Sequence, residues 1–386
     1  MTEPSVLTGP SRYWLCPDQL FDGETLLSDA ALLVEDGQSV RITPRAKLSP
    51  QDRQEPVAGT LAPGFIDLQV NGGGGALLNY QPTPGGIRTI LAAHRRFGTM
   101  ALLPTVITDR PEVLDAAAAA VMALWPTPGV LGLHIEGPHI VLARKGTHCA
   151  DFIRPLDSRT MDVVGRLRAA GVPVLITLAP EAVAPGQIAS LVRMGAVVSL
   201  GHTDATSDQM KAALAEGARS VTHLHNAMPP MLNRAPGAVG AAINSDAYLG
   251  FICDGHHVHD DMLALSIRAR PVADHMFLVS DAMPTVGGPD RFELYGQEIR
   301  LSEGRLINAE GSLAGAHVTM AEGVHRLINV IGISPAEALR MAITVPARLI
   351  GADALASPVG RSLSDLLVLD GTYAMTGRLA DTVPHA

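Results

Sequence analysis

The chain has 386 residues, 47% hydrophobic and 17% charged, with 29 basic against 38 acidic side chains and a formal charge of −9. That length holds one large domain or two ordinary ones with ample core, and the apolar content excludes a disordered chain. Only three lysines occur (Lys47, Lys145, Lys211) and there is no basic stripe, which argues against nucleic-acid and anionic-membrane binding.

The opening stretch, MTEPSVLTGPSRYW, has neither a basic n-region nor an apolar h-region, so no signal peptide is expected. No apolar run is long enough to span a bilayer. Cys16, Cys149 and Cys253 form an odd, sparse set without a CxxC pair, which speaks against a disulfide framework or a structural zinc knot. A soluble, cytoplasmic protein is the expectation.

Up to about residue 61 the chain reads as short strands, such as 31–34 and 39–42, separated by the turn signal Glu35-Asp36-Gly37. A different rhythm then begins. Apolar, β-branched runs recur at 64–70, 100–106, 130–137, 172–180, 196–202, 220–226, 248–255 and 275–281. Nearly continuous apolar character predicts parallel strands buried on both faces. Helical spacing lies between them at 87–97, 111–124, 206–217 and 260–270, and the alanine run 116–120 is good helix. Eight βα units over this length predict a (β/α)8 TIM-type barrel, with a doubly wound open sheet as the alternative. A strand-and-turn stretch at about 287–315 reads as an insertion near the barrel mouth. Residues 364–369 (SDLLVL), followed by Asp370-Gly371, return to the texture of the start. The predicted division is therefore a small β-sandwich from 1–61 and 352–386, and a barrel over 62–351.

In such a barrel the chemistry sits at the C-terminal strand ends. Those ends carry Gln69, Glu136, His202, His223, Asp254 with His257, and Asp281. Glu136, His202 and His223 close the third, fifth and sixth runs and would converge over one mouth. Two imidazoles and one carboxylate with an open position form a hydrolytic metal set, which acidifies a water and polarises a carbonyl. Asp281 is then placed to act as general base and general acid. A single His or Glu at a strand end is more often a hydrogen-bonded structural residue; the argument rests on the four together. His225 shares the His223 face and is either a neighbour of the site or merely packed. The glycine run 72–75 lacks phosphate-loop spacing and reads as a turn. Arg234, on the proline-stiffened loop 228–234, is either a phosphate clamp or a surface ion-pair partner.

Further segments carry a resemblance. PGFIDLQVNGGGG (63–75), HIEGP (134–138), KGTH (145–148), LAPE (178–181), GHTDAT (201–206) and THLHNAM (222–228) occur in order. RAPG (234–237), DGHHV (254–258), VSDAM (279–283), LAG (313–315) and ALRMAITVPAR (338–348) follow. Together they resemble the N-acetylglucosamine-6-phosphate deacetylase family of the amidohydrolase superfamily. The resemblance implies a metal-dependent barrel with a β-sandwich. It implies hydrolysis of the acetamide of an N-acetylhexosamine 6-phosphate, with the galactosamine epimer or another N-acylated sugar as the alternative substrate. It implies Glu136, His202 and His223 as metal ligands and Asp281 as acid/base. Thr147, His148, Asn226, Ala227, Arg234, Asp254, His257, Leu313, Ala314 and Gly315 are implied around the sugar phosphate. A homodimer is implied, with Arg234 serving the neighbouring subunit. Where many relatives carry an HxH pair on the first strand, this chain has Gln69 and Asn71, so a second metal site should be weak or empty. Zn2+ suits the ligand set, with Fe2+, Co2+ or Mn2+ possible. His256 and His257 compete for one position. A retired barrel serving as a sugar-phosphate sensor predicts decayed ligands, whereas every expected ligand and Asp281 are present.

Overall fold

The computed structural model describes residues 12–308, 311 and 313–382. Residues 1–11 of the opening stretch read for a leader lie outside them. The chain divides into two compact units, one of residues up to Gly64 and from Asp353 onward, the other Phe65–Ala352.

The larger unit is built on eight parallel strands, β1 (Phe65–Val70), β2 (Thr99–Ile107), β3 (Leu133–Glu136), β4 (Val174–Leu178), β5 (Val197–Leu200), β6 (Ser220–Val221), β7 (Tyr248–Phe251) and β8 (Met276–Leu278). They pair strictly in chain order. The open edges meet where Val70 bridges Ala282, and the N–H groups of Asn71 and Gly72 both donate to the Ala282 carbonyl at 2.9 Å. A nearly closed barrel, not an open doubly wound sheet, is the result. Every residue of β1 and β2 is buried, as continuous apolar runs require.

Eight helices follow the strands: α1 (Pro84–Arg95), α2 (Pro111–Leu124), α3 (Ser158–Ala169), α4 (Gln187–Arg193), α5 (Ser207–Ala215), α6 (Gly237–Ile243), α7 (Asp260–Arg268) and α8 (Met320–Arg326). Their starts are set by local chemistry. Thr83 caps α1 ahead of Pro84, and Thr206 with Gln209 and Thr319 with Glu322 form capping boxes on α5 and α8. Between β8 and α8 the chain makes four antiparallel strands, Arg291–Leu294, Gln297–Ser302, Arg305–Ile307 and Leu313–Ala316. Leu294, Ile299, Leu306 and Ala314 pack this insertion on Leu77, Ile107 and Met283.

The smaller unit joins both chain ends in one seven-stranded sheet. Arg12–Phe21 pairs parallel with Gln54–Pro63, which pairs antiparallel with Leu366–Leu369. Alternation puts Leu15, Leu32, Val34, Leu61 and Val368 in one cluster and Trp14, Ala31 and Leu33 in another. The Asp36-Gly37 turn has both residues at positive φ (49° and 74°), the geometry that matches strand twist in a two-residue hairpin. The strand Arg12–Phe21 escaped the sequence reading because Pro17 and Asp18 interrupt its alternation. All three cysteines are free. No helix among the described residues is long and apolar enough to cross a membrane.

His94 shows how the barrel stores a neutral base. It is fully buried on α1, donates Nε2–H to the Gly72 carbonyl at 2.9 Å, and its Nδ1 has no partner among the described residues. Burial lowers its pKa to about 4, against the weaker pull of the Gly72 carbonyl. The unfolded chain takes up that proton near 6.5, so His94 costs stability progressively as pH falls from about 6.5 to 4. His94→Gln, which can keep a donor to Gly72, is expected to flatten this acid limb. Thermal unfolding of both proteins between pH 4 and 7 checks it; parallel curves would refute the assignment.

Candidate metal centre and active site

The candidate side chains leave the barrel where extended backbone ends. Glu136 is the last residue of β3, but His202, His223 and Asp281 lie two or three residues past their strands, at φ of 48°, 30° and 50°. His225 and Ala227 are also left-handed, at 78° and 51°. The sequence reading took these residues as strand ends; the structure shortens β5, β6 and β8 instead. A strand would send alternate side chains to opposite faces, whereas the left-handed turns aim consecutive elements at one point. Such a concentration of non-glycine positive φ is sparsely populated backbone of the kind found at functional sites.

At that point three donor atoms meet. His202 Nε2 lies 3.2 Å from Glu136 Oε1, His223 Nε2 lies 3.0 Å from the same oxygen, and the two nitrogens are 3.1 Å apart. All three residues are buried. Donors bound to one tetrahedral zinc at its usual bond lengths stand about 3.3 Å apart. The His202 Nδ1–H donates to the Arg144 carbonyl at 2.8 Å, which leaves its Nε2 as a bare lone pair toward Glu136 and His223. A cation between the three is the arrangement that satisfies them, so the residues fit a metal ion. Burial alone would raise the Glu136 pKa; the two imidazoles beside it outweigh that and hold it well below the carboxylate range.

His148 stands beside this triangle. Its ring centroid is 4.4 Å from that of His202, and Glu136, His148 and His202 also form a group with ligand atoms within 4.8 Å of one another. The triangle with His223 is the tighter cradle, with its donor atoms 3.0–3.2 Å apart, while the His148 Nδ1 is engaged by Thr108 Oγ1 at 2.6 Å. Burial first, and the neighbouring His202 second, lower the His148 pKa to about 3 and keep it neutral.

Gln69 and Asn71 act as amide straps. Gln69 Nε2 donates to both Glu136 Oε1 and Asp281 Oδ1 at 3.0 Å, and Asn71 Nδ2 donates to Asp281 Oδ1 at 2.7 Å. Asp281 Oδ2 is left for other partners. Burial first and the Glu136 charge second raise the Asp281 pKa. Asp67, one turn of the pleat below Gln69, accepts the Ser280 N–H at 3.2 Å and is pushed by burial up to about 7.

A cavity of about 180 Å3 opens over these groups. Glu136, Thr147, His148, His202, His223, Asn226, Ala227, His257, Asp281, Leu313 and Gly315 line it, together with Asn71, Ile107, Gly146 and Met283. His257 faces the cavity and His256 is exposed, which separates the two. Asp254 stands behind His257, accepting its Nδ1–H at 2.6 Å; burial alone would raise Asp254, but this bond takes it down to about 2. Ala314 turns into the insertion core. Arg234 does not line the cavity; it sits on an exposed segment with Met231 and Leu232. Thr108 had no signal in the sequence, since its role depends on a contact with His148 forty residues away.

The turn that carries Asp254 and His257 depends on Gly255, at φ 76° with the Arg326 guanidinium where a Cβ would sit. Arg326 is held there by Asp260 at 2.6 Å. Gly255→Ala is expected to cost about 1–3 kcal/mol through left-handed strain and displacement of Arg326. Thermal unfolding unchanged within error would contradict this.

Residues 60–359 match the model of the amidohydrolase family. The chain is 42% identical over 297 residues to an N-acetylgalactosamine-6-phosphate deacetylase of Shewanella sp. (strain ANA-3), covering 76% of this chain and 75% of that one. It is 31% identical over 378 residues to an N-acetylglucosamine-6-phosphate deacetylase of Haemophilus influenzae, covering 96% and 98%. The crystal structure of N-acetylglucosamine-6-phosphate deacetylase from Pasteurella multocida superposes with a TM-score of 0.86 at 32% identity, over 95% and 98% of the chains. With its barrel, its buried Glu/His cluster and a family match over most of its length, this chain belongs to the amidohydrolase family.

Proposed function

We propose that this protein hydrolyses the acetamide of N-acetylglucosamine 6-phosphate, releasing acetate and glucosamine 6-phosphate. The observation that carries the reading is the Glu136–His202–His223 triangle facing Asp281 across one cavity. Similarity to two groups of sugar-phosphate deacetylases supports the substrate class. A second reading, N-acetylgalactosamine 6-phosphate, is favoured by the 42% identical relative.

Glu136, His202 and His223 would hold one divalent ion, with Zn2+ the best match to the donor set and Fe2+, Co2+ or Mn2+ the alternatives. When bound, the ion supplies Lewis-acid polarisation of the acetamide carbonyl and acidification of a water. Asp281 takes a proton from the attacking water on Oδ2, since Oδ1 already accepts from Gln69 and Asn71. It returns that proton to the leaving amine, so atoms and charge balance. His148, neutral and oriented by Thr108, presents Nε2 to the reacting amide, and His257, oriented by Asp254, presents Nε2 to the sugar phosphate. Thr147, Asn226, Ala227, Leu313 and Gly315 shape the pocket. The amides of Gln69 and Asn71 occupy the space beside Glu136 with N–H donors, which supports one tight ion per chain and a weak or empty second site. The exposed Met231 and Leu232 beside Arg234 support a homodimer in which Arg234 reaches the phosphate in the partner's cavity.

Acetate release from the two phosphorylated epimers and from unphosphorylated N-acetylglucosamine tests this reading. Turnover is expected with the phosphorylated sugars, fastest with the gluco epimer, and Arg234→Ala is expected to raise KM for them. Faster turnover of the galacto epimer would establish the second reading, and no acetate from either would end both. Asp281→Asn is expected to retain the ion and lose at least about 100-fold in kcat. Metal analysis and kinetics on the same sample check it, and near-normal turnover would remove Asp281 from its role.

A further inference from the structure

A continuous chain of buried side chains runs across the barrel interior one layer below the candidate metal ligands. His134 Nε2 is 2.8 Å from Thr177 Oγ1, Thr177 Oγ1 is 2.6 Å from Thr222 Oγ1, and Thr222 Oγ1 is 2.6 Å from Ser199 Oγ. These four residues are at most 4% exposed. They come from β3, β4, the residue after β6, and β5.

Each link abuts the backbone of a ligand. His134 is two residues before Glu136 on the same strand face. The Thr177 carbonyl accepts the N–H of Gly137, the residue after Glu136, at 3.1 Å. Gly201, immediately before His202, is wedged between Thr177 and Thr222, where a Cβ would stand 3.0 Å from each side chain. Thr222 immediately precedes His223. The segments that carry Glu136, His202 and His223 thus all adjoin residues of this hydroxyl chain.

Two imidazole nitrogens and a carboxylate oxygen stand about 3 Å apart before a cation arrives, and two of the backbones involved are left-handed. A hydroxyl carries one proton and two acceptor lone pairs, so the orientation of each link depends on its neighbours. We propose that Thr177 and Thr222 are positioning residues that hold the three ligand backbones at metal-binding distance before the ion enters, so that their hydroxyls set metal affinity. The proposal rests on the metal reading given above.

The test is competition between the purified, metal-stripped protein and a chromophoric chelator for Zn2+, with thermal unfolding of the metal-free form beside it. Thr222→Val keeps the shape and breaks the chain at two points; it is expected to raise the Zn2+ Kd about 10-fold or more, the scale of outer-shell changes at metal sites. Thr222→Ser, which keeps the hydroxyl, is expected to restore the wild-type Kd. Should Thr222→Val fail to fold, Ser199→Ala removes the terminal hydroxyl and is expected to shift the Kd in the same direction. A folded Thr222→Val with the wild-type Kd overturns the proposal even if its metal-free form melts lower, since that is a purely structural role. A serine variant as weak as the valine one also overturns it. Wild-type protein that holds no Zn2+ would instead overturn the metal reading itself.

Discussion

Two imidazole nitrogens and a carboxylate oxygen sit within 3.2 Å of one another in a buried pocket. Much of the barrel mouth is organised around that one constraint. Unshared, such lone pairs repel, and the low dielectric of the interior amplifies the repulsion. The surrounding structure resists it at three levels. Left-handed backbone at His202 and His223 aims the rings inward, the Arg144 carbonyl selects the His202 tautomer, and the hydroxyl layer beneath ties the strands.

The same electrostatic problem recurs on the other side of the cavity, with a different solution. Glu136 and Asp281 are two carboxylates that share a neighbour, and Gln69 places amide N–H donors between them. A pair of imidazoles in those positions would offer lone pairs and invite a second cation; amides offer protons and take its place. Asn71 adds a second donor to Asp281, and Asp67 anchors the preceding residue, Ser280. Closure of the barrel makes this possible, because β1 and the segment after β8 meet only when the sheet curls round on itself.

The order of the barrel strands was legible because each is an apolar run punctuated by turn chemistry, and burial on both faces leaves that mark on the sequence. Helix positions were legible from spacing and caps. Strand ends were not. His202, His223 and Asp281 continue apolar runs that look extended, yet convergence forces the backbone out of the β region before each of them. Similarly, the DGHHV segment offers two adjacent histidines, and only the turn at Gly255 over Arg326 directs His257, not His256, into the cavity. Arg234 looks like a pocket residue by its motif but stands on an exposed segment outside its own cavity. Thr108 and the Thr177–Thr222 pair carry no spacing signal, since hydroxyls at strand ends are common.

Residue types and their order along the chain therefore determined the barrel and the chemical character of its mouth: carboxylate, imidazole, imidazole, carboxylate at the ends of the third, fifth, sixth and eighth strands. Those are local properties, written in hydropathy period and side-chain identity. Tertiary structure alone decided which nitrogen of each ring faces inward, which carboxylate oxygen stays open, and which polar side chains support the others. Each of those outcomes is a hydrogen bond between residues tens to hundreds of positions apart, such as Asn71 with Asp281 or Thr177 with Thr222. Directional contacts of that kind depend on ångström-scale placement of backbones brought together by closure, and one-dimensional spacing holds no record of it.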